Sequence, residues 1–478
     1  MNTHEILRQR FGYEAFRPGQ EEVIRHILSG RDAIAIFPTG MGKSLCYQLP
    51  AYLLNGPVIV ISPLVALMED QVANLRKHKE KRVVAINSFL SKQEKDLALQ
   101  TIDRYKFIFL SPEMLMQDGI QKLIQQLHIA FFVVDEAHCI SEWGFDFRPD
   151  YLRLKEVFSE KERPPILALT ATANEKVTTD ITSYLQLRSP FIERQPIDRP
   201  AISYSLLHME NHHAKTEWIA NRLITTVGPG IIYVASRKRA DELAAIIHQK
   251  GIRVASYHGG KEQDERSIIQ EQFVQGELDW ICATNAFGMG IHKDDIRQII
   301  HEHLPATPSA YIQEVGRAGR DGKKSSATLL YSERDIQKLK FIVYEDLPDD
   351  QQIRYYYSLL QSGISGKLAA EQSGLTEVAF RMLEYYFEHF DIENVIRQIR
   401  QIFQVKEHQI AEMEKYVQHE GCLREQLLSY FGEKLSVSNG DCCSNCHQLK
   451  EDWLIKTEVE QKVSNELDWK ERLFQLLG

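Results

Sequence analysis

A short glycine-rich segment that ends in lysine and serine is the first part of the sequence able to do chemistry. It reads Phe37-Pro38-Thr39-Gly40-Met41-Gly42-Lys43-Ser44 and continues with Leu45. Glycines let a backbone pass close to a phosphate, lysine adds charge to the β- and γ-phosphates, and a serine hydroxyl can bind Mg²⁺. We therefore predict a nucleotide site formed by Gly40, Met41, Gly42, Lys43, Ser44 and Leu45. A chance Gly-Lys-Ser on a surface loop is the alternative, which the flanking strand and helix disfavour.

Two adjacent carboxylates follow an apolar run about ninety residues later. Phe131–Val134 is a predicted buried strand, and Asp135 and Glu136 stand at its carboxyl end. Ligands gather at that edge of a parallel sheet. We predict that Asp135 holds Mg²⁺ together with Ser44. Glu136 is then the general base for an attacking water. A solvated acidic helix cap is the alternative interpretation of this pair.

Two arginines three residues apart, Arg317 and Arg320, lie in the second half of the chain. Planar guanidinium groups suit the charge that spreads over a transferring γ-phosphoryl group. We predict that both arginines, with Gln313 from the same segment, act in catalysis beside Lys43 and Glu136. Pairing of the arginines with surface carboxylates is the alternative.

Four of the seven cysteines cluster near the C-terminus: Cys422, Cys442, Cys443 and Cys446. Four thiolates can close a tetrahedral structural Zn²⁺ site. Adjacent ligating cysteines are unusual, so His447 is an alternative to one of them. Reduced cysteines without a metal are the other alternative.

Apolar β-branched and aromatic runs alternate with helical segments along most of the chain. The predicted strands are Ala33–Phe37, Val58–Ser62, Val83–Asn87, Phe107–Ser111, Phe131–Asp135, Ile166–Thr170, Ile231–Ala235, Val254–Tyr257, Trp280–Ala283 and Gln298–His301. Helices such as Leu64–His78 and Arg237–Gln249 separate them. This alternation predicts two tandem parallel sheets covered by helices on both faces.

The pattern is interrupted at 188–200, where three prolines indicate a linker. After Tyr331 the sequence becomes almost wholly helical. Within it, Leu368–Phe387 has the spacing of a helix-turn-helix, although a plain helical hairpin is the preferred interpretation. The apolar stripe of Ile396–Val417 indicates burial. We predict units at 1–195, 196–335, 336–418 and 419–450, followed by a tail at 451–478.

Composition excludes several classes of protein. With 478 residues, of which 43% are hydrophobic and 26% charged, the chain is typical of globular proteins. The longest nearly apolar stretch, Pro57–Met68, is too short to span a bilayer. The N-terminus has no signal-peptide pattern, so we expect a cytoplasmic protein with no membrane contact. A net charge of −9 disfavours a general polyanion-binding coat but allows a local basic groove.

The order of these motifs resembles superfamily-2 helicases and, within them, the RecQ family. Further segments strengthen the resemblance: Phe16-Arg17-Pro18-Gly19-Gln20, the aromatic-rich run Cys139–Asp150, Leu169–Ala173 and Asn285–Gly290. The match covers roughly 5–335 and resumes at 420–446, where Tyr430–Glu433 and the cysteines resemble the zinc module of the family. The short RecS-like members are the nearest in layout.

The resemblance implies two RecA-like lobes, a helical region and a small zinc-binding module. It also implies that Tyr13 and Arg17 sandwich adenine and that Gln20 bonds its edge. The aromatic-rich run would bind single-stranded nucleic acid through Trp143, Phe145, Phe147 and Arg148, since aromatic rings stack on bases and arginine contacts phosphate.

By resemblance, the chain is an ATP-dependent DNA helicase that moves 3′→5′ on single-stranded DNA and unwinds tailed duplexes in recombination and repair, with replication and repair proteins as partners. Its cofactors would be ATP, Mg²⁺ and structural Zn²⁺. An RNA helicase or remodelling ATPase is the alternative that the Asp-Glu-Ala-His box alone equally permits. A clamp that binds ATP without turnover is disfavoured by the complete set of Lys43, Asp135, Glu136 and Arg320.

Overall fold

The structure, a computed structural model, describes residues 2–87, 89–141, 149–157, 163–285, 287, 293–435 and 442–456. The chain forms two compact units. The first comprises Met1–Ile197, Lys340–Gln409 and Phe431–Glu433, and the second comprises Asp198–Leu339, Ile410–Tyr430 and Lys434–Gly478. Each unit contains one of the two sheets.

A seven-stranded parallel sheet forms the centre of the first unit. Its strands are β1 (Ala33–Ile36), β2 (Val58–Ile61), β3 (Val83–Ile86), β4 (Phe107–Leu110), β5 (Phe131–Val134), β6 (Ile166–Thr170) and β7 (Phe191–Arg194). Their order across the sheet is β3-β4-β2-β5-β6-β1-β7, and every adjacent pair is parallel. The loops that follow parallel strands therefore gather at one edge of this sheet.

Both faces of this sheet are buried. Successive side chains of a strand point to opposite faces. Accordingly, Ile34 and Ile36 belong to one hydrophobic cluster, and Ala33 and Ala35 belong to the cluster on the other face. A strand that is buried on both sides has no polar face, which explains why the sequence shows continuous apolar runs instead of alternation.

Helices cover the first sheet on both faces. They are α1 (Thr3–Ile6), α2 (Gln20–Leu28), α3 (Leu45–Ala51), α4 (Val65–Lys77), α5 (Lys92–Gln100), α6 (Pro112–Leu115), α7 (Asp118–Gln126) and α8 (Glu175–Tyr184). A π-helical turn spans Leu7–Phe11, and 3-10 turns span Ile102–Arg104, Ala137–Ile140 and Pro149–Glu156. Local signals set the helix starts. At α5, for example, Ser91 and Glu94 form a reciprocal capping box.

A six-stranded parallel sheet forms the centre of the second unit. Its strands are β8 (Ile202–His208), β9 (Gly230–Tyr233), β10 (Val254–Tyr257), β11 (Trp280–Ala283), β12 (Gln298–His301) and β13 (Ser325–Tyr331). Their order is β10-β11-β9-β12-β13-β8. The helices of this unit are α9 (His212–Thr225), α10 (Arg237–His248), α11 (Gln263–Gln275) and α12 (Pro308–Val315). Helix α13 (Arg334–Tyr344) begins in this unit, and its residues from Lys340 onward belong to the first.

The outer side of the edge strand β8 pairs with the cysteine segment. The amide of Tyr204 donates to the carbonyl of Cys442 at 3.2 Å, and the amide of Ser444 donates to the carbonyl of Tyr204 at 2.8 Å. Tyr204 and Cys443 form a parallel bridge. The cysteine segment therefore acts as a short extra strand on this sheet.

The remaining chain is helical. It contains α14 (Asp350–Gln361), α15 (Gly366–Gln372), α16 (Glu377–His389), α17 (Ile392–Gln418), α18 (Leu423–Tyr430) and a 3-10 turn at Asp452–Leu454. Helices α14 to α17 enclose their own hydrophobic cluster. Helix α16 also contacts the first sheet's 3-10 turn, where Arg153 pairs with Glu388 at 3.3 Å. None of the described helices has the length and apolarity that crossing a membrane requires.

The fold predicted from the sequence is confirmed: two parallel-sheet units, a helical C-terminal region and a cysteine module. All the predicted strands are present, and helices α4 and α10 match their predicted segments closely. The prediction of a plain linker at 188–200 was wrong in one respect, because this stretch contains β7, which pairs with β1. Strands β8 and β13 were not predicted.

The helical segments also follow the sequence. The predicted helical hairpin at Leu368–Phe387 is present as α15 and α16, joined by a short turn at Gly374. The predicted stripe of Ile396–Val417 lies along the single helix α17, and Ile399, Ile402 and Met413 are buried. The helical region is therefore a packed element with its own core.

Candidate nucleotide and metal sites

The glycine-rich segment joins the end of β1 to the start of α3. Gly40 and Gly42 have φ of +89° and +76°, which favours glycine at both positions. A Cβ on Gly42 would also lie 2.9 Å from the side-chain nitrogen of Gln20. The Ser44 hydroxyl does not cap its own helix. This loop has the position and backbone conformation that a phosphate-binding loop needs.

Residues from the N-terminal segment contact this loop directly. The side-chain amide of Gln20 donates to the carbonyls of Met41 and Gly42 at 2.9 and 3.1 Å, and the guanidinium of Arg17 donates to the carbonyl of Gly40. Gln20 also accepts from the amide of Arg17 at 2.9 Å. Tyr13 is 56% exposed. The predicted contacts of these three residues with adenine stay predictions. The structure shows in addition that hydrogen bonds from Arg17 and Gln20 hold their segment against the phosphate loop.

The acidic pair lies at the same edge of the sheet as the loop. Asp135 follows β5, and its amide donates to the carbonyl of Ile61 at 2.8 Å. Glu136 adopts a left-handed conformation with φ of +47°. One oxygen of Glu136 lies 4.0 Å from the ammonium of Lys43, and the other lies 3.4 Å from Nδ1 of His138. Lysine and glutamate from distant parts of the sequence are therefore brought together as predicted.

A buried polar contact joins this pair to the end of β6, which the sequence analysis did not anticipate. Nδ1 of His138 lies 3.0 Å from the hydroxyl of Thr170, and that hydroxyl donates to the carbonyl of Thr172 at 3.0 Å. His138 and Thr170 are almost fully buried. The Glu136 side chain is thus coupled, through His138, to the backbone of the segment after β6.

The charges at this edge suit a divalent cation. Burial, and then the charge of Glu136, raise the pKa of Asp135 to about 7, while Lys43 acts in the opposite direction. Two carboxylates and a single lysine leave an excess of negative charge at this edge. Mg²⁺ prefers oxygen ligands, and carboxylate and hydroxyl groups supply them. Asp135 and Ser44 would hold the ion, and a bound Mg²⁺ would neutralise phosphate charge.

The two predicted arginines lie in the second unit, just after α12. Arg317 is 5% exposed. Burial, and then the charge of Arg317, lower the pKa of Arg320 to about 10, so the two guanidinium groups lie close enough to repel each other. Gln313 is half-buried on α12. Arg320 is partly buried, and the charge of Asp294 offsets part of this repulsion. A bound phosphate would offset more of it.

The loop that carries these arginines is held by a third arginine that the sequence analysis missed. The guanidinium of Arg199 donates to the carbonyls of Gly316, Ala318 and Gly319 at 3.2, 3.2 and 2.7 Å. Gly319 has φ of +55°, and a Cβ there would lie 2.7 Å from the carbonyl of Lys323. The loop therefore has little freedom to rearrange.

Arg199 is fixed in turn by the cysteine module. Arg424, in α18, is 3% exposed and donates to Asp198 at 2.8 Å, to the carbonyl of Arg199 at 3.1 Å and to the carbonyl of Ile202. Helix α18 begins directly after Cys422. A continuous set of hydrogen bonds therefore runs from the module to the arginine loop.

The four clustered cysteines have the geometry of a metal site. Their sulfurs lie within 4.8 Å of one another, with Cys422–Cys442 at 3.5 Å and Cys443–Cys446 at 3.4 Å. Ligands about 2.3 Å from a tetrahedral Zn²⁺ would be roughly 3.8 Å apart, so small shifts suffice. The amide of Leu423 points at the sulfur of Cys443 at 3.4 Å. The donor set, four thiolates, fits a structural Zn²⁺, which would tie the cysteine segment to α18.

Some predicted site residues lie outside the described part of the chain. These are the aromatic-rich run residues Trp143, Phe145, Phe147 and Arg148 and most of the segment Asn285–Gly290. The meeting of Lys43 and Glu136 with Arg317 and Arg320 at one phosphate also stays a prediction.

Three family matches agree with this arrangement. The chain matches the DEAD/DEAH box helicase family over 17–181, the helicase conserved C-terminal domain over 214–322 and the RecQ zinc-binding family over 389–447. The fold and the phosphate loop thus define a two-lobed, RecA-like helicase motor with a zinc-binding module.

Curated relatives identify the family to which this chain belongs among the helicases. The probable ATP-dependent DNA helicase RecS of Bacillus subtilis is 41% identical over 452 residues, which cover 92% of this chain and 91% of that protein. The ATP-dependent DNA helicase RecQ of the same organism is 34% identical over 98% of this chain and 71% of its own length. RecQ of Haemophilus influenzae is 37% identical, and the match covers 80% of this chain and 61% of that protein. The chain belongs to the RecQ family of ATP-dependent DNA helicases.

Solved structures support the fold. Saccharomyces cerevisiae Dbp5 bound to RNA and ADP BeF3 matches with a TM-score of 0.59 at 19% identity, covering 72% of this chain and 91% of that one. Mycobacterium smegmatis helicase Lhr bound to single-stranded DNA and AMP-PNP matches with a TM-score of 0.58 at 18% identity, covering 82% of this chain and 57% of that one.

Proposed function

We propose that this protein couples ATP hydrolysis to 3′→5′ movement along single-stranded DNA and so separates duplexes in recombination and repair. The observation that carries the proposal is the approach of Lys43 and Glu136, 4.0 Å apart at the carboxyl edge of the first sheet, beside Asp135. Family membership supports DNA as the nucleic acid and supports the direction of movement.

In this mechanism each residue has one role. Lys43 neutralises charge on the β- and γ-phosphates, and Ser44 and Asp135 would hold Mg²⁺, which would neutralise further phosphate charge. Glu136 orients the attacking water and accepts its proton. Arg317 and Arg320, with Gln313, stabilise the charge that develops on the transferred phosphoryl group. Hydrolysis would release the arginines from the phosphate, and repeated binding and release would drive stepping.

The finer assignments belong to the same proposal. Tailed duplexes are the proposed substrates, replication and repair proteins the proposed partners, and the cytoplasm the proposed location. Tyr13, Arg17 and Gln20 are the proposed adenine contacts, and Trp143, Phe145, Phe147 and Arg148 the proposed strand contacts. These assignments are supported by the family relationship and by the chemistry of the side chains.

The test is unwinding of matched duplexes that carry a 3′ or a 5′ single-stranded tail, with and without ATP. We expect separation of the 3′-tailed duplex only, only with ATP, and not by the Lys43→Ala variant. The Lys122→Ala variant, altered at an exposed lysine of α7, serves as the matched control. Preference for the 5′ tail would contradict the direction. Stimulation of ATP hydrolysis by RNA but not by DNA of the same length would favour an RNA helicase.

A further inference from the structure

The segment that joins α4 to β3 concentrates positive charge. Five of the seven residues from 76 to 82 are lysine or arginine: Arg76, Lys77, Lys79, Lys81 and Arg82. All five are exposed. Arg10, from the π-helical turn, lies beside them and is also exposed. We name these six residues the basic corner. In a chain with a net charge of −9, such a concentration is unexpected.

The basic corner lies far from the nucleotide site within the same unit. It precedes β3, so it lies at the amino edge of the sheet, whereas the phosphate loop follows β1 at the carboxyl edge. Strands of four residues separate the two edges by roughly 13 Å. Strand β3 is also the outer strand, five positions from β1. That spacing amounts to about 24 Å across the sheet. The basic corner therefore has no part in binding the proposed ATP.

A single buried carboxylate fixes the shape of the basic corner. Glu80 is 4% exposed and accepts from Arg82 at 3.2 Å, while Arg10 lies 3.8 Å away and stacks over the ring of Tyr52 at 3.9 Å. Lys79 has φ of +65°. Glu80 thus accounts for two of the six cations. Two arginines and a turn are locked in place around it.

The other four cations have no such explanation. Among the described residues, no carboxylate lies within ion-pairing distance of Arg76, Lys77, Lys79 or Lys81. Arg76 and Lys77 stand in the last turn of α4, where the helix dipole favours cations. Lys79 and Lys81 lie beyond the helix. Like charges held this close repel each other, and a polyanionic partner would relieve that repulsion.

The chemistry of the basic corner favours one kind of polyanion. The ring of Tyr52 beside it is covered by Arg10, and the one exposed ring within 76–82 is the single imidazole of His78, so this segment offers no series of large rings on which successive bases of a single strand could stack. The exposed side chains of 76–82 are five cations and one imidazole, and none of them is an apolar anchor for a peptide side chain. What they offer is a row of cations, and duplex DNA presents one phosphate per roughly 1.7 Å of its axis.

We propose that the basic corner binds the phosphate backbone of duplex DNA, as a second nucleic-acid contact separate from the single-strand contacts proposed for the aromatic-rich run Cys139–Asp150. The inference deepens the proposed function and rests on it for the identity of the nucleic acid. The contact is independent of base sequence, since backbone contacts carry no base information. It is also independent of ATP, because the basic corner lies far from the nucleotide site.

The experiment compares two variants of the full chain with the same change in net charge. One is Lys77→Glu/Lys79→Glu/Lys81→Glu. The control is Lys122→Glu/Lys250→Glu/Lys367→Glu, at three exposed lysines that are far apart in the sequence. Binding of a blunt 20-base-pair duplex without nucleotide is measured by fluorescence anisotropy over a series of salt concentrations. ATP hydrolysis stimulated by a short oligothymidylate is measured in parallel.

We expect the first variant to bind the blunt duplex at least about tenfold more weakly at low salt, with a log–log salt slope shallower by roughly 3. The control should keep the slope of the unmodified protein, and both variants should keep oligothymidylate-stimulated hydrolysis. Equal behaviour of the two variants would overturn the inference. So would loss of binding to a polyglutamate peptide with duplex binding unchanged, which would indicate a protein partner. Failure of the unmodified protein to hydrolyse ATP would count against the proposed function alone.

Discussion

At the scale of single residues, Glu136 shows how the site depends on contacts that are remote in sequence. Its two oxygens face Lys43 and His138, and His138 reaches Thr170. The sequence indicated the lysine and the glutamate, because their types and neighbours follow a known pattern. It did not predict the contact of His138 with Thr170, although Thr170 lies in the segment Leu169–Ala173 that resembles the family. That contact exists only because β5 and β6 are adjacent in the sheet.

Asp32 provides a prediction at the same scale. This carboxylate, 4% exposed at the start of β1, accepts from Arg163 at 3.0 and 2.5 Å and from the amides of Ile166 and Arg188. Burial acts to raise its pKa, but the hydrogen bonds from Arg163 and the two amides hold it below the usual value. The ionised group therefore stabilises the fold above its unfolded pKa of about 3.9.

We expect Asp32→Asn to lower the free energy of unfolding by about 3 kcal/mol at pH 7, because it leaves Arg163 without its buried partner. In the unmodified protein this contribution is lost as the pH falls through the depressed folded pKa. The variant should therefore lose less stability in acid. Urea midpoints followed by circular dichroism at pH 7 and pH 3 measure both effects. Identical midpoints at pH 7 would contradict the assignment, and Asp103→Asn, at an exposed aspartate, is the control.

At the scale of elements, strands were predicted where apolar residues run without interruption. Strands β8 and β13 were not predicted because polar residues interrupt their apolar runs. These residues are Ser203 and Ser205 in β8 and Ser325 and Thr328 in β13, and β13 is nevertheless buried along its whole length. Strand β7 was hidden among prolines and contains Glu193 and Arg194. The pattern of side chains in a sequence indicates hydrophobic burial but not backbone pairing. Strands that contain polar residues are therefore recognised only once the structure of the sheet is known.

The arginine loop yields a prediction about positioning. We expect Arg199→Ala to lower kcat for ATP hydrolysis by about 10- to 100-fold with little change in KM. Arg199 holds the loop of Arg317 and Arg320, and those two arginines are proposed to act only on the transition state. Arg199→Lys, which keeps one donor, should recover part of the loss. Steady-state phosphate release measures both variants. An increase in KM with an unchanged kcat would exclude this role.

The cysteine module yields a prediction about metal content. We expect the purified protein to contain one zinc ion per chain and Cys422→Ser to lose it, with a lower thermal midpoint, because a structural zinc site contributes directly to folding. The His447→Ala variant should keep its zinc, because the structure brings together four cysteine sulfurs. Metal analysis of the two variants decides the ligand set. Loss of zinc in His447→Ala would place histidine among the ligands.

At the scale of the whole molecule, the chain passes more than once between its two compact units. Residues 340–409 belong with the first sheet, although they follow the second in sequence. Sequence patterns find helices and strands but carry little information on which unit a helix joins. The domain bounds proposed from sequence therefore remain proposals, as does the site shared by residues of both units.

A double substitution tests that shared site. If Glu136 and Arg320 act on the same phosphoryl group, the double variant Glu136→Gln/Arg320→Ala should hydrolyse ATP at a rate within about threefold of the slower single variant. The reason is that substitutions of residues that act as a unit do not have additive effects. Single-turnover hydrolysis measures all three variants. Losses that multiply would mean that the two residues contribute independently and do not act as a unit.

The pairing of the cysteine segment with β8 has a consequence for solubility. An outermost strand presents a row of unpaired amides and carbonyls that can recruit another chain. Here Cys442 and Ser444 occupy part of that row through Tyr204. Removal of zinc would free the cysteine segment and uncover the edge of β8. Chelator-treated protein should therefore self-associate at concentrations where the untreated protein keeps its original size.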